Sequence, residues 1–320
     1  MVILLFGCNS NAKSIKKDVT LPYTIANKDE AVKYYLANDE YFNNYSEYDI
    51  QYRTQSKDGT IESLKEYGAK QMLDFSDKEK EAINQAMAEI ETIIKENGYH
   101  LPATDEIVFI KSTQNEEGGA VAYTHGTQIY MGNILPLYLT SGKQNHQKGL
   151  SILIHEIFHC LTRNNSDFRK DMYSLINFSV ADKDFKIPSS IQKMVISNPD
   201  VEHHDAHAIF TINNKKIDCY MLNICTVPFE NEGDQYSSHY KFVLVPVNKE
   251  ADDKDFYFIE EADDYWNIFG ENTKYIADPE ECLADNFGYT LAYGLDGSMK
   301  YKNPEIIQGI IKLLNSNKYN

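Results

Sequence analysis

The stretch that decides the fold is LSILIHEIFHCL, residues 150–161, because it contains the pattern His155-Glu156-Ile157-Phe158-His159. Residues four positions apart lie about 40° apart around an α-helix, so the two imidazoles project from the same side. Zinc accepts neutral imidazole nitrogens, and two of them one turn apart fill two corners of a tetrahedron. Glu156 projects from an adjacent line of the helix, where it can reach a metal-activated water without binding the metal. The pattern therefore predicts a zinc site with Glu156 as the catalytic base.

The residues around the motif predict a helix that is buried on nearly every side. An apolar stripe lies opposite the histidines, and further apolar side chains flank them: Leu150, Leu153, Ile154, Ile157 and Leu161, then Ile152, Phe158 and Cys160. Buried charge is costly unless it is paired or bound to a metal. The alternative interpretation is two core histidines that are satisfied by hydrogen bonds.

A third ligand is predicted in DPEECLADNF, residues 278–287, where Glu281 and Asp285 stand four positions apart. On one helix, Glu281 could bind zinc while Asp285 accepts the N–H of a ligand histidine. Two alternatives stay open. Glu281 could instead complete a capping box with Asp278, and Glu280 is the reserve ligand. A third histidine soon after the motif is excluded, because the next one after His159 is His203.

The two motifs together resemble those of the gluzincins, the thermolysin-like branch of the zincins. HEIFHCLTRNNSDFRKDMY and NTKYIADPEECLADNF are also similar to segments of a group of bacterial zincin-like lipoproteins, over about residues 75–295. The resemblance implies a zincin-like core: a twisted, mostly antiparallel sheet, the HExxH helix and a glutamate helix. It implies that His155, His159 and Glu281 bind one Zn²⁺, with Glu156 as the base and Asp285 behind a ligand histidine. The chain departs from thermolysin in the long stretch between the two motifs, from His159 to Glu281.

The remaining pattern predicts an α+β fold. Capping boxes at Asn27–Glu30 and Ser76–Glu79 begin two helices, and Asp278-Pro279 and Asn303-Pro304 begin two more. Strand-like segments follow Glu106, at residues 107–110, 120–131, 208–229, 240–247 and 255–260, with a turn at 213–214.

Two regions are expected after the first 18 residues. Residues 19–100 form an N-terminal helical region, and residues 101–320 form the zincin-like domain with a β-rich insertion at about 200–262. The strand at 127–131 could be the sheet edge along which an extended peptide binds. The alternative is that this strand is only part of the sheet.

The N-terminal segment MVILLFGC, residues 1–8, resembles the lipobox of bacterial lipoproteins, with Cys8 as the lipidated residue. Residues 1–18 would then be a signal remnant and a polar tether, on a protein of the bacterial cell envelope that meets the membrane only through its lipid. If Cys8 is not lipidated, the segment is a buried strand and the protein is cytoplasmic. The other cysteines, Cys160, Cys219, Cys225 and Cys282, form no CxxC pair, and their redox state stays open.

The net charge of −17 excludes nucleic acid as a main ligand, because nucleic-acid binding depends on Lys and Arg. The expected partner is a peptide or protein substrate. The oxyanion or proton donor is left open among His203, His204, His207, His239 and Tyr289. Two other functions compete with a peptidase: a catalytically silent, zinc-stabilised surface-binding lipoprotein, and a zinc amidase that acts on cell-wall material.

Overall fold

The computed structural model describes residues 21–248, 254–295 and 297–319. These residues form eleven α-helices and two β-sheets, so the predicted α+β class is confirmed. The proposed lipobox with Cys8, and the tether up to residue 18, lie outside the described residues. Within the described ranges, no helix combines the length and the apolar character needed to cross a membrane.

The first sheet is built around one buried central strand. Its strands are β1 (Tyr23–Ile25), β2 (Met72–Leu73), β3 (Ile107–Ser112), β4 (Ala122–His125) and β5 (Gln128–Met131). Strands β1 and β5 flank β3 and run parallel to it, β2 pairs antiparallel with the far end of β3, and β4 pairs antiparallel with β5. The expectation of a mostly antiparallel core sheet is therefore wrong for this sheet, which is mixed.

The hairpin predicted at 120–131 is confirmed, but the expected edge strand is wrong. Strand β5 lies between β3 and β4, so its hydrogen-bonding groups are used on both sides. The edge of the sheet is β4, because a hairpin whose second strand joins the sheet leaves its first strand outside.

The second sheet is antiparallel throughout and accounts for the predicted β-rich stretch. It consists of β6 (Ser179–Val180), β7 (Ala206–Ile212), β8 (Lys215–Cys225), β9 (Tyr240–Pro246) and β10 (Tyr257–Phe258), in the order β10-β9-β8-β7-β6. The turn between β7 and β8 falls at Asn213 and Asn214, as predicted. Both residues have positive φ, of 51° and 62°, which asparagine tolerates better than most residues.

Helices surround the two sheets and carry the predicted caps. They are α1 (Lys28–Leu36), α2 (Asp39–Asn43), α3 (Glu47–Thr54), α4 (Ile61–Gln71), α5 (Asp77–Asn97), α6 (Ile134–Leu139), α7 (Lys143–Asn164), α8 (Ser166–Ser174), α9 (Tyr265–Phe269), α10 (Pro279–Tyr293) and α11 (Pro304–Leu314). The capping boxes at Asn27 and Ser76 are both present and begin α1 and α5.

Helix α7 lies in the main hydrophobic core, and α10 crosses it closely. At the crossing, a Cβ atom on Gly288 would lie 2.5 Å from the carbonyl oxygen of Ser151, so only glycine fits there. Helix α5 contributes Ile83 and Met87 to the same core, so the stretch 19–100 shares both a sheet and a core with the residues that follow. The close crossing brings the HExxH face of α7 against the first two turns of α10.

The four cysteines of the described chain, Cys160, Cys219, Cys225 and Cys282, are free and buried. They therefore behave as small apolar side chains of the core. The redox state that the sequence left open is therefore the free thiol at all four positions.

Candidate metal centre

Three predicted ligands converge where α7 faces α10. Glu281 Oε2 lies 3.1 Å from His155 Nε2 and 3.7 Å from His159 Nε2. The three ligand atoms lie within 4.8 Å of one another, and all three residues are buried. A tetrahedral zinc ion with bonds of about 2.0–2.1 Å separates its ligand atoms by about 3.3 Å. The spacing therefore fits a metal ion placed between them.

The outer nitrogen of each histidine is held by a carboxylate. His155 Nδ1 lies 2.9 Å from Asp285 Oδ1, and His159 Nδ1 lies 3.0 Å from Glu280 Oε1. Each contact places the N–H on Nδ1 and leaves Nε2 as the free lone pair toward the centre. The structure thus brings Asp285 to the place expected for it.

Glu280, the reserve ligand, faces away from the metal position and supports His159 instead. Its other contacts are a 2.6 Å hydrogen bond from Thr162 Oγ1 and a hydrogen bond from the Tyr173 hydroxyl. Neighbouring residues on a helix point about 100° apart, so Glu280 and Glu281 meet different parts of the α7 surface. The two adjacent glutamates were visible in the sequence, but nothing there assigned Glu280 to His159.

The alternative prediction, that Glu281 completes a capping box with Asp278, is wrong. Asp278 caps α10 by accepting the backbone N–H of Glu280, and the Glu281 side chain does not return to the cap. Glu281 turns inward to the two histidines instead.

Burial and the charge of Glu281 favour a cation at this centre. Burial opposes ionisation of Glu281, yet the hydrogen bond with His155 and the positive charge that both imidazoles carry when protonated lower its pKa below the usual range. A metal ion bound to the neutral imidazoles would supply the same compensating charge. His159 Nε2 is buried and has no hydrogen-bond partner among the described residues. A buried polar atom without a partner is costly, and a metal ion would satisfy it.

The open side of the metal position is bounded by two further carboxylates, Glu156 and Asp200. Together with His159 they offer ligand atoms within 4.8 Å of one another. Oε2 of Glu156 is buried and has no hydrogen-bond partner within the described ranges, as suits a base that accepts a proton from water. Burial and the charge of Asp200 raise the pKa of Glu156 above its usual range. A bound dication would offset both effects and favour the ionised base.

The second oxygen of Glu281 is fixed by two residues that sequence reasoning missed. Tyr275 donates its hydroxyl to Oε1 at 3.0 Å, and the Asn198 amide donates to the same oxygen. The Tyr275 ring lies nearly parallel to the His155 ring, with centroids 6.1 Å apart, and is 46% exposed. Both residues lie outside regular elements, so no periodicity pointed to them.

The predicted oxyanion histidines have other contacts. His203 pairs with Asp184, and the His207 ring lies 2.8 Å from Asp218. The backbone N–H of His204 also bonds Asp184. In the described ranges, no hydrogen bond or ion pair joins these three histidines to the metal-facing residues.

His203 and His204 instead line a cavity of about 810 Å³ beside α2. The backbone carbonyl of His239 accepts a hydrogen bond from the Thr226 N–H. Tyr289 is nearer to the centre, because its hydroxyl lies 3.4 Å from Asp285 Oδ2.

Removing the carboxylate behind His159 tests whether the site is built for a metal. Glu280→Gln is expected to weaken zinc binding by about 10–100-fold, because the amide supports the histidine less well than a carboxylate does. Competition with a chromophoric chelator measures the affinity. Glu260→Gln, at an exposed position, serves as the matched control. Equal affinities in the two variants would contradict the role given to Glu280.

Comparison of the chain with family models, with curated proteins and with solved structures finds no match.

Proposed function

We propose that this chain is a zinc-dependent hydrolase of the gluzincin type that cleaves peptide bonds. The observation that carries the proposal is the convergence of His155, His159 and Glu281 around one point. Beside it lies Oε2 of Glu156, which has no hydrogen-bond partner in the part of the chain that the structure describes. One Zn²⁺ ion is the proposed cofactor, because two imidazoles and one carboxylate are a zinc donor set.

Zinc bound there would lower the pKa of a coordinated water and polarise the carbonyl of the substrate. Glu156 takes the proton of the attacking water and passes it to the leaving amine. Asp285 and Glu280 keep the two histidines in the tautomer that presents Nε2. Asn198 and Tyr275 hold the Glu281 carboxylate in place through Oε1.

Tyr275 is our candidate for the group that meets the developing oxyanion. Its hydroxyl lies at the centre, on the Glu281 carboxylate, and Tyr275 is the one exposed residue among those named here. A phenol O–H can donate to an oxyanion once the carbonyl oxygen of the substrate gains charge.

The presence of Glu156 as a base favours a hydrolase over a catalytically silent protein. A zinc site that only stabilises a fold has no use for a buried glutamate beside the metal whose Oε2 has no hydrogen-bond partner among the described residues. The donor set does not distinguish peptides from other amides, so the choice of peptides rests on the resemblance to gluzincins.

Metal analysis and product analysis together test the proposal. The purified full chain should hold about one zinc per molecule and should cleave members of a mixed peptide library, with cleavage sites read by mass spectrometry. A chelator should remove the activity, and added zinc should restore it. A chain that folds without zinc and gains none on reconstitution would refute the proposal.

A further inference from the structure

One segment of the chain lies over the metal position and along the edge strand β4. We call residues 195–202 the covering segment. The backbone N–H and the hydroxyl of Thr124 both donate to Asp200 Oδ1 at 2.7 Å, and the Gly126 N–H donates to Glu202 at 2.9 Å. Exposed edge strands offer N–H groups to extended peptides. Here the Thr124 and Gly126 N–H groups already donate to the Asp200 and Glu202 side chains of the covering segment.

The covering segment also reaches the metal position from that edge. Asn198 donates to Glu281, and Asp200 Oδ1 lies 4.0 Å from His159 Nε2. Two atoms that share a metal with bonds of about 2.0–2.2 Å lie at most about 4.3 Å apart. By that limit Asp200 and His159 can share a metal, on the side of the metal position where Glu156 stands. Asp200 forms a group with His159 and Glu156 and not with His155 and Glu281, so it joins the three predicted ligands only after a small shift.

Helix α3 of the N-terminal region holds the covering segment from outside. The Ser197 N–H donates to Asp49 at 2.9 Å, and Arg53 donates to the Ser197 carbonyl at 2.9 Å. Arg53 also pairs with Glu117 at 2.8 Å, and the Ser46 hydroxyl donates to the Val195 carbonyl. The side chains of this ion-pair network are at most 3% exposed. The covering segment is thus anchored by buried charges, which are costly to separate.

Helix α7 anchors the opposite side. The Arg163 guanidinium donates to the Pro199 carbonyl at 2.8 Å and lies 3.0 Å from the Glu202 carboxylate. It also donates to the Gly126 carbonyl at 3.1 Å. Through Arg163, helix α7 therefore holds the covering segment against the end of β4.

We propose that Asp200 moves onto the bound metal as a fourth protein ligand, so that the metal-loaded site rests in a closed state. This inference rests on the proposed function. A carboxylate has about four lone-pair sites, so the two Thr124 donors leave room for a metal bond. With four protein ligands the centre has no free position for water, and the covering segment lies where an extended substrate would pair with β4. Hydrolysis then requires Asp200 and the covering segment to leave.

Access of a small ligand to the metal tests the closed state. The full chain is loaded with Co²⁺ in place of zinc, and acetohydroxamate is titrated while the visible absorption of the cobalt is followed. Asp200→Ala should bind acetohydroxamate at least about tenfold more tightly than the parent, because a parent that is open for a tenth of the time binds tenfold more weakly. Asp182→Ala, at an exposed position, should behave as the parent does.

A second variant covers the case in which Asp200→Ala fails to fold. Asp200→Asn keeps an acceptor for the Thr124 donors but is a weaker ligand, and it should hold Co²⁺ less tightly in competition with a chelator. The inference is overturned if Asp200→Asn holds Co²⁺ as tightly as the parent, or if the parent binds acetohydroxamate as tightly as Asp200→Ala. Failure of the parent and of both variants to bind any metal would overturn the proposed function as well.

Discussion

Glu156→Gln is expected to lower the rate of peptide hydrolysis by about 10²–10⁴-fold while zinc stays bound. The amide has nearly the same shape as the carboxylate but cannot take a proton from water. The metal-facing atoms of His155, His159 and Glu281 are not changed. Hydrolysis rates and zinc content are measured on the same preparation.

The control for this variant is Glu96→Gln, an exposed change on α5 that alters the net charge equally. Both changes are also made together with Asp200→Ala, so that a closed site does not mask the loss of the base. If Glu156→Gln hydrolyses peptides as fast as its control in both backgrounds, Glu156 is not the base. If the variant loses its zinc, Glu156 has a role in binding the metal rather than in proton transfer.

The parts of the site that were predicted from sequence are those that share a helix. His155 and His159 are one turn apart on α7, and Glu281 and Asp285 are one turn apart on α10. Helical geometry determines which residues of such a pair share a face, whatever the tertiary structure. Local helix geometry does not predict which helices pack against each other. That α7 and α10 face each other was predicted from the resemblance to gluzincins.

The parts that were missed depend on contacts between distant segments. Asn198 and Asp200 come from the covering segment, and Tyr275 precedes α10 in a stretch without regular structure. No periodic pattern marks such positions, because their side chains reach the site only after β4, α3 and α7 have packed around them. The choice of β5 as the edge strand failed for the same reason, since the pairing of β5 with β3 is a long-range contact.

Glu281→Ala is expected to weaken zinc binding strongly, because only His155, His159 and the proposed ligand Asp200 remain. Most of the stabilisation that zinc gives to the fold should be lost with it. Glu281 supplies the only carboxylate oxygen within 3.7 Å of both histidine Nε2 atoms among the contacts of the described chain. A ligand present at 100 times its dissociation constant stabilises the folded state by about 2.7 kcal/mol. For a chain of this size, the parent should therefore melt about 4 °C higher with zinc than with a chelator.

The difference in melting temperature between zinc and chelator is the informative quantity, because it removes any effect of the substitution on the metal-free fold. That difference should shrink to a small part of the parental value for Glu281→Ala and stay at the parental value for Glu260→Ala, an exposed position. A full zinc-dependent shift in Glu281→Ala would mean that Asp200 and Glu156 hold the metal with His159, the other group of ligand atoms within 4.8 Å. The assignment of Glu281 as a ligand would then be wrong, and the metal position would lie on the β4 side of the centre.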